Sequence, residues 1–263
     1  MRYSPPVFGW AAAALVPSAR RAVVRNLHRI RGPAPIATDA RDVLATFSNY
    51  ASCLAEVLSN DAASGPRPPE TTIHGHGYVQ SAGEPGRGIV MVTAHTAGWE
   101  SVGPCLARDH GLRMMMVMQA EPDTRAQSLQ DEARRRAGVT IVHVGGDPLA
   151  SLPLLRHLRG EGVVALQLDR FAEGMRTREV NLLGEKTRIP EGPLRLAQVS
   201  GAPIVAVFCA RIGYRRYVIE LYEGRTVPRR ATEAQLDEVA QHLADNMGAF
   251  LRAHPTQWFH FGS

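Results

Sequence analysis

Gly88-Ile-Val-Met-Val-Thr-Ala-His-Thr-Ala-Gly-Trp-Glu-Ser101 is the stretch that decides the fold. Ile89 to Val92 is a short apolar, largely β-branched run of the length of a buried strand, and at His95 it gives way to polar chemistry. Thr96, Ala97 and Gly98 make a small-residue turn, after which Trp99-Glu100-Ser101 opens a segment that reads as a helix to about Asp109. A strand that ends in a histidine and a turn, with a carboxylate just inside the next helix, is how an α/β protein builds a site at the edge of its sheet.

Downstream, strand and helix patterns alternate. A methionine-rich strand spans Leu112 to Gln119, a polar, arginine-laden helix Thr124 to Ala137, a strand Val139 to Val144, a helix Pro148 to Arg159 and a strand Val163 to Leu168. Phe171 to Arg178 reads as a loop, Ala202 to Arg211 and Tyr217 to Tyr222 as a strand pair turning at Gly213, and Thr232 to about Ala253 as a long helix. Upstream, Ala37 to Ser59 repeats apolar residues at helical spacing and Thr71 to Gln80 alternates like a strand. The expected fold is therefore α/β: a largely parallel central sheet flanked by helices, with N-terminal helices, a C-terminal antiparallel strand pair and a final helix. Residues 1–36 read as an N-terminal amphipathic, basic helical segment and 37–263 as one α/β domain.

Composition narrows the partners. The chain carries a net charge of +5, its basic excess mostly arginine, and a pI near 9.5, a balance that favours anionic surfaces and ligands. The arginines are scattered and no aromatic platform lies among them, so nucleic acid is not the expected partner. Cys53, Cys105 and Cys209 are isolated thiols without a Cys-x-x-Cys pair, and His74 and His76 lack a third ligand, so neither a disulfide framework nor a metal site is expected. Val7 to Val16 is about half the length that a membrane-spanning helix needs. With Phe8 and Trp10 in it and Arg20, Arg21 and Arg25 just after, it reads equally as an interfacial helix or as an amphipathic helix packed on its own domain.

His95 is the side chain suited to take and return a proton near neutrality. Were both helical, Glu100 would lie about 140° further around the axis. With His95 in the turn, the carboxylate is free to accept a ring N–H and fix the tautomer. His-x4-acid occurs once among the ten histidines of the chain, at this strand–helix junction. The plainer reading is a strand-end histidine beside a helix-start acid that the dipole favours. Ser101, in Trp99-Glu-Ser-Val-Gly103, is one glycine short of a nucleophile elbow and offers a serine-hydrolase reading. A second constellation, Leu166-Gln-Leu-Asp169-Arg170, is a strand ending in an acid and a base; it is either part of a site or a surface ion pair. Arg188 before the turn Pro190-Glu-Gly192-Pro193 and Glu191 within it are either pocket residues, beside a turn that suits a helix start able to hold an anion, or a solvated charge pair.

Thr93-Ala94-His95-Thr96-Ala97-Gly98-Trp99-Glu100 resembles the H-x4-D/E block of the lysophospholipid acyltransferase superfamily, in its branch of bacterial lipid A biosynthesis and phosphatidylinositol mannoside acyltransferases. Ala97-Gly98 stands where that branch usually has Gly-Asn. Asp169-Arg170, Val180 to Ala197, Ala202-Pro-Ile-Val-Ala-Val-Phe208 and His254-Pro-Thr-Gln-Trp258-Phe-His-Phe261 resemble later blocks of the same branch, in the same order. The resemblance implies an O-acyltransferase that moves a fatty acyl group from an acyl carrier protein or coenzyme A thioester to a hydroxyl of a glycolipid or similar acceptor. It implies His95 as general base with Glu100 as its partner, Asp169 and Arg170 in the acceptor or phosphate pocket, and no cofactor beyond the acyl donor. It also implies a place on the inner face of the cell membrane. Met114, Met115, Met116 and Met118 then serve either as core or as the lining of an acyl groove. A non-catalytic lipid or carrier-protein binder on the same scaffold is the other alternative.

Overall fold

A computed structural model describes residues 4–58, 69–75, 77, 87–119, 128, 131–132, 135, 138–144 and 151–262. Three helices come first, α1 (Ser4–Leu15), α2 (Pro17–Arg31) and α3 (Ile36–Leu58). The sheet region follows with β1 (Glu70–His74), β2 (Ile89–Thr93), α4 (Trp99–His110), β3 (Met114–Gln119), β4 (Val139–Val144), α5 (Leu152–Arg159) and β5 (Val163–Gln167). The chain continues through β6 (Thr177–Leu182), β7 (Glu185–Pro190), α6 (Gly192–Ser200), β8 (Ile204–Gly213), β9 (Arg216–Leu221) and α7 (Glu233–Ala253).

Seven strands form one sheet in the order β1-β9-β8-β2-β5-β3-β4. All neighbours are parallel except β8 and β9, the expected antiparallel pair. Every residue of β2 is buried, as a central parallel strand covered on both faces requires. One face packs against α5, α6 and α7 through Leu158, Leu194, Leu243 and Phe250, and the other against α4 through Val102, Cys105 and Leu106. Met114, Met115 and Met116 are buried core residues, whereas Met118 reaches a cavity described below. α1, α2 and α3 share a small core of their own, with Ala13, Val23, Leu27, Val43 and Phe47. Among the described residues, no helix is long and apolar enough to cross a membrane. The arginine-laden helix expected at Thr124 to Ala137 lies mostly outside the described residues, as do His76 and residues 148–150.

One element escaped the sequence pattern. β6 and β7 pair as an antiparallel ribbon, with Thr177 opposite Pro190 and Leu182 opposite Glu185, where the sequence suggests a loop and a turn. The connection is the two residues Leu183 and Gly184, both at positive φ (59° and 87°), the geometry of a tight hairpin. Leucine rarely takes that conformation, so the turn carries a weak sequence signal.

Phe208 of β8 is fully buried and packs with its ring centroid 5.3 Å from that of Phe250, so it ties the sheet to α7. Phe208→Ala is expected to destabilise the fold by about 3–5 kcal/mol, read as a lower urea midpoint with little change in slope.

Candidate active site

The parallel pairing of β2 with β5 sets Thr93 opposite Gln167. Two residues further along each chain, His95 and Asp169 leave the same edge of the sheet side by side, and the Leu168 N–H still donates to the Thr93 carbonyl at 2.7 Å. The Asp169 carboxylate is almost completely buried, and both of its oxygens are held. Oδ1 lies 2.9 Å from His95 Nδ1. Oδ2 accepts the His95 backbone N–H at 3.1 Å and the Trp258 indole N–H at 2.9 Å. Burial pushes the Asp169 carboxyl up, but the hydrogen bond and charge of His95 and the Trp258 indole more than offset it and hold the group below the usual carboxylate range. An ionised Asp169 fixes the proton of His95 on Nδ1 and leaves Nε2 as the basic nitrogen.

The carboxylate at His95 Nδ1 is thus Asp169, not the expected Glu100. Glu100 sits in the first turn of α4, where the helix dipole favours an acid, and it lines the same cavity as His95. The reason is the turn. Gly98 takes φ +79°, reverses the chain and starts α4 at Trp99, while β5 delivers Asp169 straight along the sheet. A Cβ at Gly98 would run into the Tyr217 ring, which is itself fixed by a 2.6 Å hydrogen bond from its hydroxyl to the buried Glu56. Trp99 meets the imidazole edge-on, with ring centroids 5.5 Å apart.

Four backbone amides in and beside the turn are already engaged inside the protein. His95 N–H serves Asp169, Thr96 N–H the Ala94 carbonyl, Ala97 N–H the Gln257 carbonyl and Trp99 N–H the Thr96 carbonyl. These four are therefore not donors for a developing oxyanion. The cysteines are not nucleophiles either: burial pushes Cys53 up to about 12 and Cys105 up to about 11, and Cys209 well above the thiol range. The backbone at Ser101 is already helical, whereas a nucleophile elbow places its serine on the turn itself.

His95 and Asp169 open onto a cavity of about 2290 Å³ that Glu100, Arg170, Arg188 and Glu191 also line. That exceeds the roughly 300–1,000 Å³ of an ordinary small-ligand site, enough for two substrates or one with a long tail. The wall includes the apolar side chains of Leu54, Val57, Leu154, Leu166 and Met175 and the cationic ones of Arg25, Arg29, Arg176 and Arg188. Arg170 turns from Asp169 and donates to the Phe259 carbonyl at 2.7 Å. Glu191 is buried and bonded to Arg178 at 3.0 Å and Arg195 at 2.6 Å, so it knits β6 to α6 while forming part of the wall. Trp258 had drawn attention only as part of a terminal block. Nothing in a lone tryptophan announces that its N–H will meet a carboxylate 89 residues away.

The family profile described as bacterial lipid A biosynthesis acyltransferase matches residues 6–262. A phosphatidylinositol mannoside acyltransferase of Mycobacterium tuberculosis is 27% identical over 238 residues, 89% of this chain and 73% of that protein. One from Mycolicibacterium smegmatis is 25% identical over 237 residues, 89% of this chain and 75% of that protein. A crystal structure of the 1-acyl-sn-glycerophosphate acyltransferase PlsC from Thermotoga maritima aligns over 95% of this chain and 97% of that one, at 11% identity and a TM-score of 0.43, too loose to argue from.

The turn yields a test of its own. Gly98→Ala forces both a positive φ and contact with the Tyr217 ring, and is expected to lose about 1–3 kcal/mol in denaturant titration. In a Tyr217→Ala background the further loss is expected to be smaller, because the ring contact is gone.

Proposed function

The chain belongs to the bacterial lipid A biosynthesis acyltransferase family and is an acyltransferase of lipid metabolism, and from that premise we propose that His95, held by Asp169, is its general base. The acceptor hydroxyl gives its proton to His95 Nε2 as its oxygen attacks the thioester carbonyl. The tetrahedral adduct then expels the thiolate, which takes the proton back from the imidazolium, leaving an ester and a thiol. Asp169, buried and ionised, stabilises the imidazolium through Nδ1. The observation that carries this reading is the 2.9 Å contact between His95 Nδ1 and a buried carboxylate at the edge of a cavity lined by both apolar and cationic side chains.

The donor in this reading is an acyl thioester of acyl carrier protein or coenzyme A. The acceptor is a glycolipid bearing an anionic headgroup, phosphatidylinositol mannosides among the candidates because the similar mycobacterial proteins carry that name. The apolar wall suits the hydrocarbon tails, and Arg25, Arg29, Arg176 and Arg188 suit a phosphate. Glu100 stays in the proposal as an acid of the cavity wall near His95, Arg170 and Arg188 as cationic members of it, and Glu191 as a support. The serine-hydrolase alternative loses its footing with Ser101 inside a helix. We further propose a peripheral place on the inner face of the cell membrane. Val7, Phe8, Trp10 and Leu15 are exposed on α1, and Arg20 and Arg21 are exposed at the start of α2, a pairing that suits anionic lipid.

Thiol release and lipid acylation, followed with acyl-coenzyme A or acyl carrier protein and a membrane lipid extract, test the chemistry. His95→Ala is expected to lower the rate by about 10² or more with the fold retained, and Asp169→Asn to fall further than Glu100→Gln. A His95→Ala protein of near-normal activity removes the histidine from the mechanism, and a deeper loss in Glu100→Gln returns the orienting role to Glu100. Replacing both Phe8 and Trp10 with serine is expected to weaken sedimentation with phosphatidylglycerol vesicles by about tenfold or more.

A further inference from the structure

We propose that residues 257–260 form a strap that holds the His95–Asp169 pair in register, with Trp258 as the positioning residue whose indole N–H fixes the second carboxylate oxygen. This rests on the acyl-transfer reading of that pair. The strap is bound to the catalytic turn along its backbone: Ala97 N–H donates to the Gln257 carbonyl at 2.9 Å, Phe259 N–H to the His95 carbonyl at 2.8 Å, and Thr96 faces Trp258 in an isolated antiparallel bridge. It is bound to β8 by the Gln257 side chain, whose oxygen accepts the Arg211 N–H at 2.9 Å and whose amide donates to the Arg211 carbonyl at 2.8 Å. From the opposite side, Arg170 donates to the Phe259 carbonyl at 2.7 Å and Asn26 of α2 to the His260 carbonyl at 2.7 Å. Trp258 is buried, and the His260 ring lies against it with centroids 5.2 Å apart.

Six hydrogen bonds thus anchor a short segment whose one side-chain bond to the site reaches Asp169. Oδ2 has two protein donors, the indole at 2.9 Å and the His95 amide at 3.1 Å. Without the indole, the carboxylate keeps only the longer bond on that oxygen and can swing away from Nδ1. The neighbouring imidazolium then loses part of the charge and hydrogen bond that stabilise it. Loss of the N–H therefore predicts two linked changes: a slower chemical step and a lower pH for protonation of His95. The other titratable or charged groups around the pair are His260 on the strap, Arg170 beside Asp169, Glu100 on α4 and Arg29 on α2, and all four are unchanged in the variants below.

The test compares wild type, Trp258→Phe and a protein in which Trp258 is replaced by benzothienylalanine, which keeps the bicyclic shape and lacks the N–H. The His95 imidazole is titrated by NMR, assigned with His95→Gln, and turnover is followed as thiol release from palmitoyl-coenzyme A or palmitoyl-acyl carrier protein with a membrane lipid extract as the source of acceptor. Both variants are expected to move the His95 titration down by about half to one pH unit, and to lower kcat about tenfold with KM within about twofold. The isostere keeps the test valid if the phenylalanine variant does not fold. An unmoved titration in the isostere overturns the proposal, including when kcat or melting temperature falls, because that pattern belongs to a purely structural residue. A wild-type protein that releases no thiol counts against the acyl-transfer reading, while the NMR shift still decides the strap.

Discussion

The arrangement depends on keeping a buried carboxylate ionised. Removing Asp169 from water costs several kcal/mol unless donors replace the solvent, and here three donors from two remote parts of the chain do so. The His95 ring and amide supply two, and the Trp258 indole supplies the third. Satisfying Asp169 requires β2 beside β5 in the observed register, a left-handed turn at Gly98, and a C-terminal segment lying across that turn. Each of those features is unremarkable alone. Together they leave one imidazole nitrogen basic and directed at a cavity.

Similar side chains around that cavity do different physical work. Glu191 and Asp169 are both buried acids, but Glu191 is neutralised by two guanidinium groups and joins secondary-structure elements. Asp169 faces an imidazole, whose charge can change. Arg178 is similarly committed: burial lowers the affinity of its guanidinium for a proton, but the carboxylates of Glu233, Glu191 and Asp237 raise it further. Arg29 on the cavity wall is also engaged, by the Leu182 carbonyl at 3.0 Å and the Glu185 carboxylate at 3.3 Å, but burial outweighs the Glu185 charge and lowers its proton affinity.

Much of this was legible in the sequence, and the gaps have physical causes. The apolar run before His95, the alternation of strands and helices, the β8–β9 pair and the final helix all follow from hydropathy period and turn residues, and both His95 and Asp169 stood out as polar groups ending buried strands. Their meeting did not follow, because adjacency of β2 and β5 is a property of strand order, with β3 and β4 displaced outward. Local spacing therefore favoured Glu100, five residues from His95, over a carboxylate 74 residues away. The β6–β7 ribbon was hidden by a leucine in a glycine-like conformation, and Trp258 by the silence of a single indole donor.

The distances along the chain between His95, Asp169 and Trp258 carry a consequence for how activity arises during folding. Contacts closing loops of 74 and 89 residues are among the last that a chain acquires, because their entropic cost precedes any return. A collapsed intermediate with helices and individual strands in place still lacks a poised base. In the proposed mechanism, a chain at that stage does not yet hold the His95–Asp169 pair, and the chemistry waits on the native topology.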